Sequence, residues 1–308
     1  MLLKNNIPIG YVLGKVKYDS ALVAIYAIVV TVSHQLNIFN FDIPIGGVPA
    51  ILGTVISLLL AFRSNQAYDR WWEARIVWGA IVNDSRSFAR QVITFIGNLY
   101  DSGSTGELKE RLIKRQIAWN YALTKSLRKQ DPYKDIKRLL SESDFEFVKA
   151  YDNVPNALLK LQGMDINRAT NEGLLNQFQQ IELERTLMKL TDSMGKCERI
   201  KSTVFPETYT LYIRLAIYLF ITVLPFSLFG LFGYISIPLV IAIGTLFLLI
   251  EKMAVHLQDP FENKPTDTPM STISAKIERD LMQMWLDDRM EDQRDEAKNA
   301  DRKMFYIL

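Results

Sequence analysis

The chain has a single cysteine, Cys197, in 308 residues, which excludes an internal disulfide and any cysteine-rich metal site. It has two histidines, His34 and His256, too few for a histidine metal centre. Strand-like alternation is almost absent and no internal repeat is visible. The first twenty residues carry Lys4, Lys15 and Lys17 but no continuous apolar core, so no cleavable signal peptide is expected. There is no paired-histidine motif, no nucleophile elbow and no dinucleotide fingerprint. The glycines of residues 101–106 lack the spacing of a phosphate-binding loop, and no strand precedes them. An enzyme is therefore not expected, and no catalytic residue, metal ligand or cofactor is assigned. The net charge of +2, with no basic patch interleaved with aromatics, argues against nucleic acid as a partner.

What is present is a mixture. The chain is 49% hydrophobic and 23% charged, too apolar for an ordinary soluble protein and too charged for a compact transporter. Four apolar segments stand out, at residues 21–38, 48–62, 209–229 and 234–250. The second, entered through Gly46-Gly47-Val48-Pro49, is roughly 22 Å long as a helix, short of the ~30 Å hydrocarbon core. It is either a short buried helix or a crossing completed by polar residues, since no Gly or Pro separates it from Arg63-Ser64-Asn65-Gln66. The reversal between the last two segments is expected at residues 230–233.

Outside the apolar segments the spacing predicts amphipathic helices. One continues the second segment to Gly97, one covers residues 107–129, and one long helix covers 167–200. Two short helices are expected between them, from the capping-box spacing Ser143-Asp144-Phe145-Glu146 and from Pro155 in a first turn. Past a Pro-rich stretch, a last amphipathic helix carries Ile273, Ile277, Leu281, Met284 and Trp285 before a charged tail at 287–303. Cys197 is expected to be a small packed residue, and His34 an interfacial polar residue. Asp69 and Glu73, four apart on one face, are expected to partner Arg70, Arg75 or another helix. The pair Trp71-Trp72 suits either an interfacial anchor or packing in a helical layer.

Charge sets the topology. No Lys or Arg lies between Tyr18 and Phe62, and none between Leu215 and Glu251. By the positive-inside rule both termini and the central region are cytoplasmic. The expected organisation is a tail at 1–20, membrane helices one and two at 21–72, a cytoplasmic helical region at 73–208, membrane helices three and four at 209–252, and a cytoplasmic segment at 253–308. The fold class is all-α, with four membrane helices per subunit.

Thr54, Leu58 and Phe62 form one stripe at i, i+4, i+8. Repeated around an axis, such a stripe makes rings that hold up ions by excluding water. On an arbitrary membrane helix the same stripe would be ordinary packing. The polar continuation through Ser64, Asn65, Gln66 and Asp69 favours a helix that meets water. Four helices rarely enclose a path alone, so self-association is expected.

The run FRSNQAYDRWWEARIVWG, from Phe62 to Gly79, resembles the signature of the bestrophin family, in particular its prokaryotic branch. Arg70, Trp71, Trp72 and Glu73 carry that signature. Asp259-Pro260-Phe261, after the fourth apolar segment, resembles a second family element at the same place. The resemblance implies a homopentameric ion channel in the plasma membrane (the bacterial inner membrane), without cofactor, conducting small monovalent ions, chloride or sodium. It implies a central pore lined by the second membrane helix, with a hydrophobic neck at Thr54, Leu58 and Phe62. Thr54 departs from the bulky apolar residue usual there. The resemblance also implies a second, cytoplasmic constriction, which counting back from Pro206 assigns to Phe178. Animal bestrophins are similar in being opened by calcium held after the Pro-Phe element. Here Lys264 and Pro265 interrupt the acidic run, so no calcium site is carried over. A scaffold that docks partners on its cytoplasmic helices is the alternative, and a transporter would call for paired repeats, which are not seen.

Overall fold

A computed structural model describes residues 9–36, 47–97, 103–203 and 206–285. The helices in chain order are α1 (Ile9–Gly14), α2 (Lys17–Gln35), α3 (Val48–Phe95), α4 (Ser104–Leu127), α5 (Tyr133–Ile136), α6 (Glu142–Lys149), α7 (Val154–Asn171), α8 (Gln177–Ser202), α9 (Glu207–Phe232), α10 (Ser236–Leu257) and α11 (Met270–Trp285). Among the described residues there is no strand. The chain divides into two compact units, and the boundary crosses α3 between Trp71 and Trp72.

The first unit holds the described residues of Lys4–Trp71 and Val204–Asp259. Its core is aliphatic: Val23 and Ala27 of α2, Ile56 and Leu60 of α3, Ile213, Ile217 and Leu224 of α9, and Val240 and Leu248 of α10. Small residues let these helices approach closely, as they must where lipid supplies no hydrophobic drive between helices. A Cβ on Gly244 would stand 3.1 Å from Val23 and 3.4 Å from Ile221. Among the described residues, two stretches are long and apolar enough to cross a membrane, Val48–Phe95 and Glu207–Leu257. The second contains both α9 and α10. Their reversal is a 3₁₀ turn at Gly233–Ile235, later than the expected 230–233. Gly230 stays helical, and Gly233, at φ +54, takes the left-handed conformation that ends α9. Pro225 sits inside α9 and is buried. Of the first apolar segment, residues 37–38 lie outside the described residues, as does most of the loop that follows. His34 stacks on Phe229 of α9, ring centroids 4.3 Å apart.

The second unit holds the described residues of Trp72–Thr203 and Pro260–Leu308. Here α4 is the central element, packed against α7, α8 and α11. Its core is built from large side chains, with Trp78, Phe88 and Trp119 fully buried. Its buried charges are balanced: Arg115 donates from Nε and Nη2 to Asp144, both at 2.7 Å, and from Nη1 to Asp165 at 2.7 Å. Arg111 also reaches Asp165 at 2.9 Å.

Three local expectations change. The long helix over 167–200 is two helices. α7 ends at Asn171, Gly173 turns at φ +76, and Asn176 starts α8 with a capping box closed by Gln179. The cap of α6 is Ser141, which accepts from the Asp144 amide, and not Ser143. Gly106 is helical, because α4 already begins at Ser104. By contrast Pro155 sits in the first turn of α7, and α3 runs unbroken to Phe95. The tail at 287–303 lies outside the described residues.

Candidate ion pathway

α3 has two faces within the first unit. Ile56, Leu60, Arg63 and Ala67 are buried. Thr54, Leu58 and Phe62 are exposed, Leu58 by 58% and Phe62 by 56%. The same stripe continues at helical spacing through the exposed Asn65, Gln66 and Asp69. One helix thus presents an unburied line that is apolar for its first half and polar for its second. The Thr54 hydroxyl donates to the Ala50 carbonyl at 2.8 Å, so its polar group is satisfied within the helix. That reduces the difference between Thr54 and an aliphatic residue at this level of the stripe.

Next to Phe62, on the buried side, lies an ionic cluster. Glu251 Oε1 of α10 accepts from Arg63 Nη1 at 3.4 Å and from Arg214 Nη2 of α9 at 3.2 Å. Arg63 Nη2 donates to Thr210 Oγ1 at 3.0 Å. The Arg63 and Glu251 side chains are 1% and 2% exposed, that of Arg214 44%. Nothing in the order of residues joins these three charges. The available signal was their position: Arg63 and Glu251 each follow directly on an apolar segment, and Arg214 stands near the start of the third.

The signature residues are mainly structural ties. Arg70 Nε donates to the Gln258 carbonyl at 3.0 Å, joining α3 to the residue that caps α10. Trp71 lies 5.8 Å from the Tyr68 ring, and Trp72 is 49% exposed. Glu73 forms an ion pair with Arg199 of α8, so its partner is on another helix rather than at Arg70 or Arg75. Phe261 is fully buried in the second unit's core. The Pro260 carbonyl accepts from the Thr268 amide at 3.0 Å, closing a loop that leads into α11.

The carboxylates of that loop have partners within the protein. Asp267 is buried and accepts from the Lys264 amide at 3.0 Å, while Glu262 is engaged by Lys201. Among the described residues no three His, Cys, Asp or Glu side chains cluster as a metal site.

In the second unit Phe178 occupies the first turn of α8 and is 82% exposed. Ile181 and Met188 are exposed on the same helix. Beside them a groove of about 460 Å³ between α3 and α8 is lined by Asp84, Arg90, Glu182, Arg185 and Lys189. Cys197 is fully buried on α8, and burial pushes its thiol up to about 12. It packs, as expected of a small apolar residue.

Known proteins bear on these observations. A family described as Bacterial/Fungal Bestrophin protein matches residues 5–283. The voltage-dependent anion channel-forming protein YneE of Escherichia coli K12 is 34% identical over 235 residues, 76% of this chain and 75% of its own. A protein described by the same words from Ralstonia nicotianae is 32% identical over 236 residues, 76% of each chain. The crystal structure of a bacterial bestrophin homolog from Klebsiella pneumoniae superposes with a TM-score of 0.81 at 29% identity, covering 88% of this chain and 98% of that one. The fold is that of an all-helical, bestrophin-like membrane protein. With its family model matched over most of its length, the chain belongs to the bacterial bestrophins, a family of channels and not of enzymes.

Proposed function

We propose that this chain forms a homopentameric channel passing small monovalent anions, chloride among them, through a central pore lined by α3. The exposed stripe of α3 carries the reading. An apolar line that a single subunit leaves unburied becomes a closed hydrophobic ring when five copies face an axis, and its polar continuation then meets water. Thr54, Leu58 and Phe62 form the neck, with Phe62 at its inner end. Phe178 forms a second constriction at the cytoplasmic side. Anions are favoured over sodium because relatives at 32% and 34% identity are named anion channel-forming proteins.

The chain crosses the bacterial inner membrane four times, through residues 21–38, 48–62, 209–229 and 234–250. Both termini and residues 73–208 are cytoplasmic. The absence of Lys and Arg from both outer connections supports this orientation.

Purified protein in planar bilayers under a sodium chloride gradient tests the reading. A reversal potential on the chloride side is expected, together with a pentameric mass in detergent. Phe62→Ala is expected to raise conductance by widening the inner ring. Phe178→Ala tests the cytoplasmic constriction in the same way. Intact pentamers that stay electrically silent would instead indicate a scaffold, and a reversal potential on the sodium side would overturn the choice of ion.

A further inference from the structure

In the first unit α1, α2 and α10 line an open groove of about 600 Å³, the size of a small-molecule site. It exists because the chain turns between α1 and α2. The Lys15 and Val16 amides donate to the Val12 and Leu13 carbonyls at 3.2 and 3.1 Å, and the Val16 side chain is buried in the core. Leu13 of α1 thereby lines the groove together with Ala242 and Leu246 of α10. Two polar groups of the lining satisfy each other, since Thr245 Oγ1 donates to Ser20 Oγ at 3.1 Å. Among the described residues that line it, Lys17 is the charged one.

Lys17 is exposed in the first turn of α2, and its Nζ lies 4.7 Å from the ring centroid of Tyr18, itself 79% exposed. A lysine and a tyrosine side by side at the start of an apolar helix suit the headgroup layer of a bilayer. Further along, α2 exposes Leu22 and Ile25, apolar side chains of the kind that lipid covers. Asp19, the nearest carboxylate in sequence, lies 3.5 Å from Lys252 and accepts from the Tyr218 hydroxyl at 3.5 Å.

Resting on the reading that α2 and α10 cross the membrane with Lys17 on the cytoplasmic side, we propose that this groove binds one anionic phospholipid per subunit. An acyl chain lies against Leu13, Ala242 and Leu246, and the phosphate meets Lys17. The apolar walls supply the affinity for the chain. The single cation at headgroup level favours an anionic head over a zwitterionic one, by roughly fivefold for one lysine.

Native mass spectrometry of the full-length protein in neutral detergent tests this, with palmitoyl-oleoyl phosphatidylglycerol and phosphatidylcholine as probes. Phosphatidylglycerol is expected to be retained in preference, saturating at one per subunit. Lys17→Gln should remove roughly fivefold of that preference, and Lys17→Arg should keep it. Ala242→Phe, which fills the groove at an exposed position, should abolish retention of both lipids. Ile25→Phe, at an exposed position outside the groove lining, should leave retention unchanged. Equal retention of the two lipids by wild type, or full retention by Ala242→Phe, would overturn the proposal. Loss of subunit association in Ala242→Phe would also overturn it, since a second copy would then be the occupant. The channel reading fails separately. A protein that retains the lipid but stays silent in bilayers loses its conductance and keeps this site, and labelling of Lys17→Cys from outside intact cells would overturn the assigned orientation.

Discussion

The two units bury charge in different ways. In the helical unit around α4, Arg111 and Arg115 meet Asp144 and Asp165, so two cations face two carboxylates. In the unit built from α2, α9, α10 and the first half of α3, Arg63 and Arg214 share Glu251. The first arrangement is what stability demands, because an ion taken out of water is tolerated only when its charge and hydrogen bonds are matched. The second is looser, with contacts of 3.4 and 3.2 Å. The packing differs as well. The helical unit fills its core with Trp78, Phe88 and Trp119, while the apolar unit brings helices together at Gly244. One unit packs large aromatic side chains around a tight ionic network, and the other brings helices together at a small residue around a looser ionic cluster.

Breaking the balanced network should have the largest effect on stability. Arg115→Met leaves Asp144 and Asp165 facing each other in the core, at a cost of about 3–5 kcal/mol. A lower denaturant midpoint for the unit around α4 checks it. An unchanged midpoint would show that the network is not what holds α4 to α6 and α7.

A smaller effect is expected where α11 docks on α4. The Tyr121 hydroxyl donates to Glu278 Oε2 at 2.6 Å, and Arg138 reaches the same carboxylate at 2.6 and 2.8 Å. Tyr121→Phe removes one bond to a charged acceptor, about 1.5 kcal/mol. Burial by itself would raise the Glu278 carboxyl, but the hydrogen bonds from Arg138 and Tyr121 outweigh it and hold it below its usual range. Since the folded value lies below the unfolded one, the linked stability is present above the ordinary value of 4.5 and is lost as pH falls through the folded value. Protease cleavage within 270–285 should therefore appear on acidification, and at a higher pH in Tyr121→Phe than in wild type.

In the apolar unit the weak point is close packing. Gly244→Val should cost about 1–3 kcal/mol by forcing Val23 and Ile221 apart, read as a lower thermal midpoint in detergent. Of similar or smaller effect is the titration of Cys197. Its thiol, pushed up from 9.0 to about 12, contributes stability below pH 9 that is lost as pH rises toward 12. At pH 8 it should resist maleimide in the folded protein and react after denaturation. The smallest effect belongs to the exposed pair Glu182–Arg185 on α8, where Glu182→Gln should change stability by less than about 0.5 kcal/mol.

Much of this was readable from residue order. Helical periodicity and the long apolar runs specify which segments are helices and which of them avoid water. Pro155 marks the start of α7 through a φ fixed by its own ring, and the family signature at Arg70-Trp71-Trp72-Glu73 is local by nature. Where local signals competed, the reading slipped. Periodicity ran through Gly173 because an apolar count does not register a turn, and Ser143 offered the same cap spacing as the true cap, Ser141.

The sequence by itself determined the all-helical class, the apolar segments and the exposed stripe of Thr54, Leu58 and Phe62, because each depends on neighbours within a few turns of one helix. Only the tertiary structure decided where the charges went. Arg63, Arg214 and Glu251 stand on three helices, up to 188 positions apart, and Glu73 finds Arg199 across 126. Such partnerships come from how helices pack, which no local pattern encodes. The ionic cluster beside Phe62 exists only once α3, α9 and α10 are brought together.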